Sequence, residues 1–362
     1  MKKTIAMLLA LVMTVSLLAG CGGKTQDDAA DGEKTLTVAL TGAPTHLDPH
    51  PQASTDSYRV VTQIFDRLVE LDADMNLVPV LAESWEVKDE TTTVFNLRKG
   101  VKFHDGNEMT AEDVKFSLER CIASPGVNYN YLIISEINII DEYTVEFKTS
   151  EPCSVLLQRL TLDAASILSK AAVEATDDFD ANPVGCGPFK FVSWDTTSGE
   201  VVLEAFDEYW EGRPAIDKLI FKTIPESINR TVALETKEAD IAYDLAATDF
   251  ASVESNPDLK LEKTASTTVW YLGMNIRDEI LSNKLVRKAI ATAINVDDFI
   301  TMVFNGNADP AHNTMLTSYL PGYVADAVKY DYSVENAKAL LAEAGYPDGF
   351  DLTITVPSNY QP

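Results

Sequence analysis

Strand patterns and helix patterns alternate along this chain from residue 36 onward, and that alternation restricts it to a fold that mixes sheets and helices. Residues 36–40 alternate apolar and polar side chains, whereas residues 58–71 place Val61, Ile64 and Leu68 on one helical face. Further strand patterns lie at residues 84–87, 93–97, 101–103, 143–147, 189–192, 201–205, 218–221, 267–275 and 351–356. Further helix patterns lie at residues 110–122, 155–160, 170–175, 227–238, 283–294, 297–304 and 334–344. With 362 residues, 46% of them hydrophobic, the protein is long enough for two or three packed domains.

The N-terminus has the pattern of an export signal. Two lysines precede an apolar run at residues 5–18, and an Ala-Gly pair precedes Cys21. This order resembles a bacterial lipoprotein signal, in which the cysteine becomes the lipidated first residue of the mature protein. The alternative is a membrane-spanning anchor, but such a helix needs about 20 apolar residues. The pattern therefore predicts lipidation of Cys21, a flexible linker at residues 22–33, and anchoring at the outer face of the cytoplasmic membrane, in an extracellular or periplasmic location.

Charge and cysteine content exclude some functions. The sequence has 56 acidic and 29 basic residues, a formal net charge of -27, which argues against nucleic-acid or anionic-lipid binding by the folded body. Three cysteines follow Cys21, at positions 121, 153 and 186, and they allow at most one disulfide bond. Their spacing fits no metal motif. Semi-buried thiols are expected, and whether Cys153 and Cys186 pair is left open.

The sequence lacks the common catalytic motifs. It contains no Gly-x-Ser-x-Gly elbow, no His-Glu-x-x-His helix, and no Gly-rich loop followed by Lys-Ser or Lys-Thr. His46 and His50 are separated by Pro49, which prevents a shared helix face, and His104 stands beside Asp105. These histidines are expected to be solvated loop residues. The sequence predicts no catalytic residue, no cofactor and no metal site, although a carboxylate pair is left open.

Eight segments carry recognisable motifs, at residues 47–50, 81–85, 95–106, 110–114, 182–189, 286–289, 293–295 and 337–346. In this order, they resemble the family 5 solute-binding proteins, which are the dipeptide, oligopeptide and nickel receptors of ATP-binding cassette (ABC) importers. The resemblance extends from residue 36 to residue 356, and the order of many segments makes it specific. Cys186 departs from the family pattern, since relatives usually carry Thr or Ser there.

Most of the motif residues are expected to serve folding. Gly100 and Gly106 suit tight turns, and Thr110 suits the N-cap of a helix. Trp85 and Phe103 are expected in the core, and Pro188 at the start of a strand.

The resemblance implies an α/β fold of the type II periplasmic-binding-protein class, with two lobes across a hinge and an inserted extra domain. Residues 34–59 and 181–266 would form the first lobe, residues 60–180 the inserted domain, and residues 267–362 the second lobe. Only six residues follow the strand pattern at 351–356, so the second lobe is expected to be incomplete, with the sequence truncated at its C-terminal end.

The same resemblance places the ligand between the lobes. Cleft residues are expected in three segments, residues 41–48, 242–246 and 269–275. Ordinary packing or surface exposure is the alternative for each aromatic residue among them. The candidate ligand contacts are Trp270, Tyr271, Tyr243, Asp244, Asn275 and Asp48, with Tyr129 and Tyr131 as a far wall.

By resemblance, the predicted function is that of a substrate-binding lipoprotein which captures dipeptides or oligopeptides outside the membrane and delivers them to the permease and ATPase subunits of an ABC importer. Closure of the lobes on the ligand would produce the state that the importer recognises. Nickel chelates, oligosaccharides or other solutes are alternative ligands. A secreted hydrolase and an adhesin or chaperone lipoprotein are alternatives of another class.

Overall fold

The structure is a computed structural model, and it describes residues 33–51, 54–264, 266–311, 314–318, 320, 322–325 and 330–356. The predictions for Cys21 and for most of the linker lie outside these residues. Within the described part, no helix has the length and apolar character that a membrane span requires.

Short strands and helices follow one another along the sequence, as predicted. The strands are β1 (Thr35–Leu40), β2 (Val69–Leu71), β3 (Leu77–Pro79), β4 (Ala82–Val87), β5 (Thr92–Leu97), β6 (Ile134–Asp141), β7 (Thr144–Thr149), β8 (Phe189–Asp195), β9 (Glu200–Ala205), β10 (Lys218–Thr223) and β11 (Ile241–Ala242). The α-helices are α1 (Thr55–Ile64), α2 (Ala111–Ala123), α3 (Leu156–Arg159), α4 (Lys170–Glu174), α5 (Ser227–Glu235), α6 (Phe250–Ser255), α7 (Lys284–Ala293), α8 (Val296–Phe304) and α9 (Val334–Glu343). Asn128–Asn130 and Asp163–Ala165 form 3₁₀ turns.

A five-stranded mixed sheet joins distant parts of the sequence in the order β11-β1-β10-β9-β8. β1 runs parallel to both β10 and β11, whereas β9 is antiparallel to β10 and to β8. Because the neighbours of β1 come from residues 218–242, this sheet can form only after the intervening segment has looped out and returned.

The looped-out segment contains its own four-stranded antiparallel sheet, in the order β4-β5-β7-β6. Helix α2 covers it, with Val114 and Leu118 buried, and Phe95 lies 5.1 Å from Phe147 between ring centroids. A capping box starts α2, in which the Thr110 hydroxyl accepts from the Glu112 amide. The predicted helix start at Thr110 is therefore confirmed.

One hydrophobic cluster connects the two sheets, from Leu40 of β1 through Ile64 of α1 to Phe147 of β7. Beside this cluster, the backbone of Gly185 and Gly187 lies directly against the end of α1. A β-carbon on Gly185 would come within 2.1 Å of the Ile64 carbonyl oxygen. Only glycine allows this approach, since the gap excludes any side chain.

The other structural predictions for motif residues also hold. Gly100 and Gly106 adopt φ values of 74° and 88°, in the left-handed region that favours glycine. Phe103 is fully buried, Trp85 packs half-buried against the core, and Pro188 directly precedes β8. Cys121 and Cys186 are buried and Cys153 is half-buried, all three as free thiols.

Four predictions of secondary structure are wrong. Residues 267–275 and 351–356 carry strand patterns but form no strand, because no described segment provides a neighbouring ladder for their backbone groups. Residues 101–103 contribute only an isolated bridge between Lys102 and Glu108. The helix predicted at 58–71 ends at Ile64, since the Gly187 amide donates to the Ile64 carbonyl at 2.9 Å, and residues 69–71 become β2.

Candidate ligand-binding site

The three parallel strands of the main sheet end along one edge, at Leu40, Thr223 and Ala242. Helix α1 begins beside this edge, after the loop that follows β1. In open α/β sheets, ligands bind in the crevice outside the carboxyl ends of the strands. A ligand-binding site is therefore expected along this edge.

The loop after β1 is attached to the first turn of α1. The Thr41 hydroxyl donates to Asp56 Oδ2 at 3.0 Å, and the Thr45 amide donates to the Ser57 hydroxyl at 2.9 Å. The Ser54 hydroxyl caps the helix by accepting from the Ser57 amide. These contacts give the predicted segment 41–48 a defined position at the strand ends.

Arg59 is the central residue of this edge. Its Nη1 donates to Asp56 Oδ1 at 2.9 Å, and its Nη2 donates to Asp244 Oδ2 at 2.7 Å. Its guanidinium carbon lies 4.2 Å from the centroid of the Tyr243 ring, in a cation–π contact. Arg59 therefore joins two predicted site residues, Tyr243 and Asp244, to the loop after β1.

The Tyr243–Asp244 backbone is held by a second arginine, Arg230 of α5. This residue is buried, and its guanidinium donates to the backbone oxygens of Ile224, Pro225 and Asp244 at 2.7, 2.6 and 2.8 Å. Burial lowers the pKa of Arg230, partly offset by the charge of Asp244 and of other nearby carboxylates. Asp244 has a φ of 54°, which a non-glycine residue adopts only when its surroundings enforce it.

Tyr243 and Asp244 remain available at the surface. The Tyr243 residue is 42% exposed, and the side chain of Asp244 is 55% exposed. We name the Thr41–Asp56–Arg59–Tyr243–Asp244 group the strand-end cluster. It offers a carboxylate and an aromatic face to solvent in a fixed geometry.

The predicted residues from the segment 269–275 lie in a different set of contacts. Trp270 packs edge-on against Phe304 of α8, with ring centroids 5.8 Å apart, and is 45% exposed. Tyr271 is 69% exposed. Asn275 accepts from the Arg277 amide at 3.1 Å and so shapes a turn. The contacts described for these residues do not connect them to the strand-end cluster.

The two tyrosines predicted as a far wall have different environments. Tyr129 is 65% exposed and lies near Tyr58 of α1. The pKa of Tyr58 is raised to about 12, first by burial and then by the charges of Asp163 and Tyr129. Tyr131 is fully buried, and its hydroxyl donates to the Arg159 carbonyl at 3.1 Å. The structure therefore gives Tyr131 a packing role in place of the predicted wall.

Asp48 and His50 are also buried. Arg120 binds Asp48 with both terminal nitrogens, and its Nη1 lies 2.6 Å from His50 Nδ1. Burial raises the pKa of Asp48, but hydrogen bonding and charge from Arg120 outweigh it and lower that pKa. Burial lowers the pKa of His50 to about 4. Asp48 is thus the buried partner of an ion pair with the half-buried Arg120, and the prediction of solvated histidines is wrong for His50.

His104 is another exception to that prediction. Its Nε2 contacts the Gly187 carbonyl at 3.0 Å, and burial lowers the pKa of His104 to about 4. His46 is half-buried against Asp180, with 2.8 Å between Nδ1 and Oδ2. Among the described residues, no three His, Cys, Asp or Glu side chains are grouped in a way that could hold a metal ion.

Arg59, Asp56 and Arg230 were missed by the sequence analysis. Arg59 and Asp56 are three apart in the first turns of a helix that follows a loop at a strand end, which is a signal for polar residues at the sheet edge. Arg230 has no such signal, because its partners are backbone oxygens.

A family model describes this sequence. This model, bacterial extracellular solute-binding proteins, family 5 Middle, matches residues 76–362. The protein belongs to this family.

A curated relative and two solved structures are similar over most of this sequence. The glutathione-binding protein GsiB of Pectobacterium atrosepticum is 33% identical over 337 residues, covering 90% of this protein and 64% of the relative. The periplasmic binding protein DppA of Helicobacter pylori, solved with the peptide STSA, is 32% identical with a TM-score of 0.78, covering 87% of this protein and 67% of that one. AgaA of A. tumefaciens R10, solved with agropinic acid, is 32% identical with a TM-score of 0.75, and the match covers 87% of this protein and 65% of AgaA.

These comparisons confirm the predicted family and the predicted α/β fold of the type II periplasmic-binding-protein class. The family is one of extracellular solute-binding proteins. The sequence spans about two thirds of the length of the curated relatives that it matches.

Proposed function

We propose that this protein captures short peptides outside the cytoplasmic membrane and delivers them, unchanged, to an ABC importer. The family match supports solute binding, and the similarity to a glutathione-binding protein and to a peptide-bound DppA supports peptides as the solute. The observation that carries the proposal is the strand-end cluster, since it presents Tyr243 and Asp244 at the sheet edge where α/β proteins bind ligands.

The proposed domain layout follows from the order of strands. Residues 34–59 and 181–266 would be the first lobe, supported by the pairing of β1 with β10 and β11 in one sheet. Residues 60–180 would be the inserted domain, supported by their separate four-stranded sheet. Residues 267–362 would belong to the second lobe, and ligand contacts to both lobes would favour a closed state.

Within the cleft, the proposed contacts are Tyr243 and Asp244 from the first lobe and Trp270, Tyr271 and Asn275 from the segment that follows it. Tyr243 would supply an apolar wall for a side chain or backbone of the ligand, and Asp244 would accept hydrogen bonds from a ligand N–H or ammonium group. Tyr129 would close the far side, supported by its exposure and its proximity to α1. Asp48 and Tyr131 would act only by supporting the loops around the site.

The remaining proposals concern location and partners. Lipidation of Cys21 would anchor the protein at the outer face of the membrane, and residues 22–33 would separate the folded body from the lipid surface. The permease and ATPase subunits of an importer would be its protein partners. The protein itself would have no catalytic activity, which fits a family defined by solute binding.

Binding can be tested by native mass spectrometry of the protein purified from its host, followed by isothermal titration calorimetry. The titrations would use dipeptides, tetrapeptides and glutathione as probes. We expect a copurified peptide and a dissociation constant in the micromolar range or below for at least one peptide class. Failure of every peptide probe to bind, or hydrolysis of a bound peptide, would contradict the proposal.

Variants of the strand-end cluster refine this test. Asp244→Asn and Tyr243→Ala are each expected to weaken peptide binding about tenfold, equivalent to about 1.4 kcal/mol. Asp74→Asn is the matched control, because Asp74 lies in the exposed β2–β3 turn. Equal affinities for all four proteins would remove the strand-end cluster from the binding site.

A second candidate solute is an opine such as agropinic acid. Its support is AgaA, which has the same sequence identity to this protein as the peptide-bound DppA. Agropinic acid therefore belongs in the same calorimetric series. Tighter binding of agropinic acid than of any peptide would favour this second function.

A further inference from the structure

Asp66 lies buried where three separate segments meet. It follows α1, its backbone contacts Cys186 of the turn 185–188, and its side chain faces the loop 206–214, which is part of the connection between β9 and β10. The residue is 5% exposed, and the Trp210 indole nitrogen donates to its Oδ2 at 2.7 Å. Its backbone oxygen accepts from the Ile167 amide at 2.9 Å. Asp66 therefore contacts the proposed first lobe from within the proposed inserted domain.

No cation is paired with this carboxylate among the described residues. Arg67, the next residue in the sequence, directs one terminal nitrogen to Asp163 at 2.5 Å and the other to Glu70. Arg98 stacks on the Trp210 ring at 4.5 Å and donates its Nε to the Val80 carbonyl. Both arginines are thus engaged elsewhere, and the side chains that hydrogen-bond to Asp66 are neutral, namely the Trp210 indole and the Tyr209 hydroxyl.

The other titratable groups around Asp66 are Glu70, Tyr209 and Cys186. Burial raises the pKa of Asp66 to about 7, and the charge of Glu70 adds to this, whereas the Trp210 bond, the charge of Arg67 and the Tyr209 bond oppose it. Burial also raises the pKa of the Cys186 thiol and of the Tyr209 hydroxyl. Both of these groups therefore stay neutral while Asp66 changes its charge.

Several contacts besides the Trp210 bond attach the loop 206–214 to its surroundings. The Phe206 amide donates to the Pro188 carbonyl at 2.9 Å, and Arg213 binds both Asp207 and Asp217. Phe206 also packs edge-on against the His104 ring, with centroids 5.0 Å apart. Trp210 and Tyr209 are the side chains of this loop that interact with Asp66 in the buried junction.

We propose that Asp66 is a protonation switch that sets how firmly the loop 206–214 is held against residues 60–180. When Asp66 is protonated, its carbonyl oxygen accepts the Trp210 bond without a buried charge. When the proton leaves to solvent, a carboxylate remains that only neutral donors solvate, so water entry and release of Trp210 become favourable. The switch would act on the junction between the two proposed domains, whatever solute the protein binds.

The direction of the effect follows from linkage. The folded state binds the Asp66 proton more tightly than the opened state, whose pKa is near the ordinary 3.8. The stabilisation that the bound proton gives to the folded state is complete below pH 3.8 and is lost as the pH rises through about 7. Local opening of the loop should increase about a hundredfold from pH 5 to pH 8 and then level off.

Hydrogen–deuterium exchange of the whole protein, read on peptides that cover residues 206–216 and corrected for intrinsic exchange, tests this switch. We expect protection to fall about a hundredfold more from pH 5 to pH 8 in the wild type than in Asp66→Asn. Burial lowers the pKa of His104 to about 4, so His104 stays neutral throughout this window. Glu211→Gln is the control, because it removes an exposed charge from the same loop and should keep the full response.

Trp210→Phe gives a second measurement that does not depend on the folding of Asp66→Asn. Loss of the indole donor removes an interaction that favours the ionised form of Asp66. The pH at which loop opening levels off should therefore be higher in this variant than in the wild type. A wild-type protection that does not change with pH would overturn the proposal. The proposal would also be overturned if protection in Asp66→Asn depended on pH as strongly as in the wild type, or if loop opening in Trp210→Phe levelled off at the wild-type pH.

Discussion

At the scale of single residues, two arginines organise the candidate site in different ways. Arg59 joins side chains, because its guanidinium contacts Asp56, Asp244 and the Tyr243 ring. Arg230 binds the backbone oxygens of three residues, and it holds the loop that displays Tyr243 and Asp244. Arg59 is therefore expected to affect ligand binding most, and Arg230 to affect stability most.

Arg230→Met is expected to lower the free energy of unfolding by about 3 kcal/mol. The substitution removes a charged donor from three backbone carbonyls, and hydrogen bonds to charged groups are strong. Urea denaturation followed by circular dichroism measures the change. Arg277→Met is the control, since Arg277 is exposed and its loss should cost no more than about 0.5 kcal/mol. Similar small losses in both variants would refute the structural role of Arg230.

His104→Gln is expected to make the protein less sensitive to acid. Burial lowers the pKa of His104 to about 4 from an ordinary 6.5, so the unfolded state takes up this proton first. The stabilising contribution of the neutral His104 side chain is present above pH 6.5 and is lost as the pH falls through about 4. Glutamine can still donate to the Gly187 carbonyl. Between pH 6.5 and pH 4, the free energy of unfolding should therefore fall by up to about 3 kcal/mol less in the variant than in the wild type.

Denaturant titrations of the two proteins at several pH values measure this difference. His50 behaves in the same way, since burial lowers its pKa to about 4, and it is expected to keep part of the acid sensitivity in the variant. Identical pH profiles for wild type and His104→Gln would contradict the buried, neutral state of His104.

At the scale of elements, the turn at residues 185–188 determines where α1 ends. The Gly187 amide caps the Ile64 carbonyl, and the Gly185 carbonyl accepts from the His104 amide at 2.8 Å. The turn therefore joins α1, the segment around His104 and β8. Helical periodicity continues past Ile64 in the sequence, but this tertiary contact stops the helix.

Gly185→Ala is expected to lower the free energy of unfolding by about 3 kcal/mol or to prevent folding. Its β-carbon would come within 2.1 Å of the Ile64 oxygen, a backbone atom that cannot move without displacing α1. Gly273→Ala is the matched control, because its β-carbon would meet the Tyr271 ring at an ordinary 3.5 Å. Thermal denaturation of both variants measures the contrast, and equal melting temperatures would show that the turn tolerates a side chain.

At the scale of the whole molecule, the proposed first lobe and the proposed inserted domain share one hydrophobic cluster while each keeps its own sheet. Residues 60–180 thus cannot separate from the main sheet without exposing apolar surface at α1 and β8. Motion between the proposed lobes would instead have to occur after residue 266, where the described residues include no strand that pairs with the main sheet.

The proposed membrane anchor is tested by Cys21→Ala in the native host. Without the lipidated cysteine, the protein is expected to leave the membrane fraction and appear in the soluble extracytoplasmic fraction, because acyl groups supply the membrane affinity of such proteins. Cys153→Ala is the control, since it alters a half-buried thiol and should leave the distribution unchanged. Retention of Cys21→Ala in the membrane fraction would contradict the anchor.

The amino-acid sequence by itself determined the family, the mixed fold, most helix and strand positions, and the local roles of Gly100, Gly106 and Thr110. These features depend on side-chain periodicity, turn geometry and capping, which involve neighbours close in the sequence. The sequence also pointed to Tyr243 and Asp244, although only through a resemblance to relatives.

Only the tertiary structure decided which of the candidate residues lie together. It placed Arg59 between Asp56 and Asp244, buried Tyr131 and Asp48, and left residues 267–275 without a partner strand. Each of these outcomes depends on contacts between residues far apart in the sequence, such as the 185 positions that separate Arg59 from Asp244. Burial and pairing at such distances are properties of the packed molecule, and no local pattern encodes them.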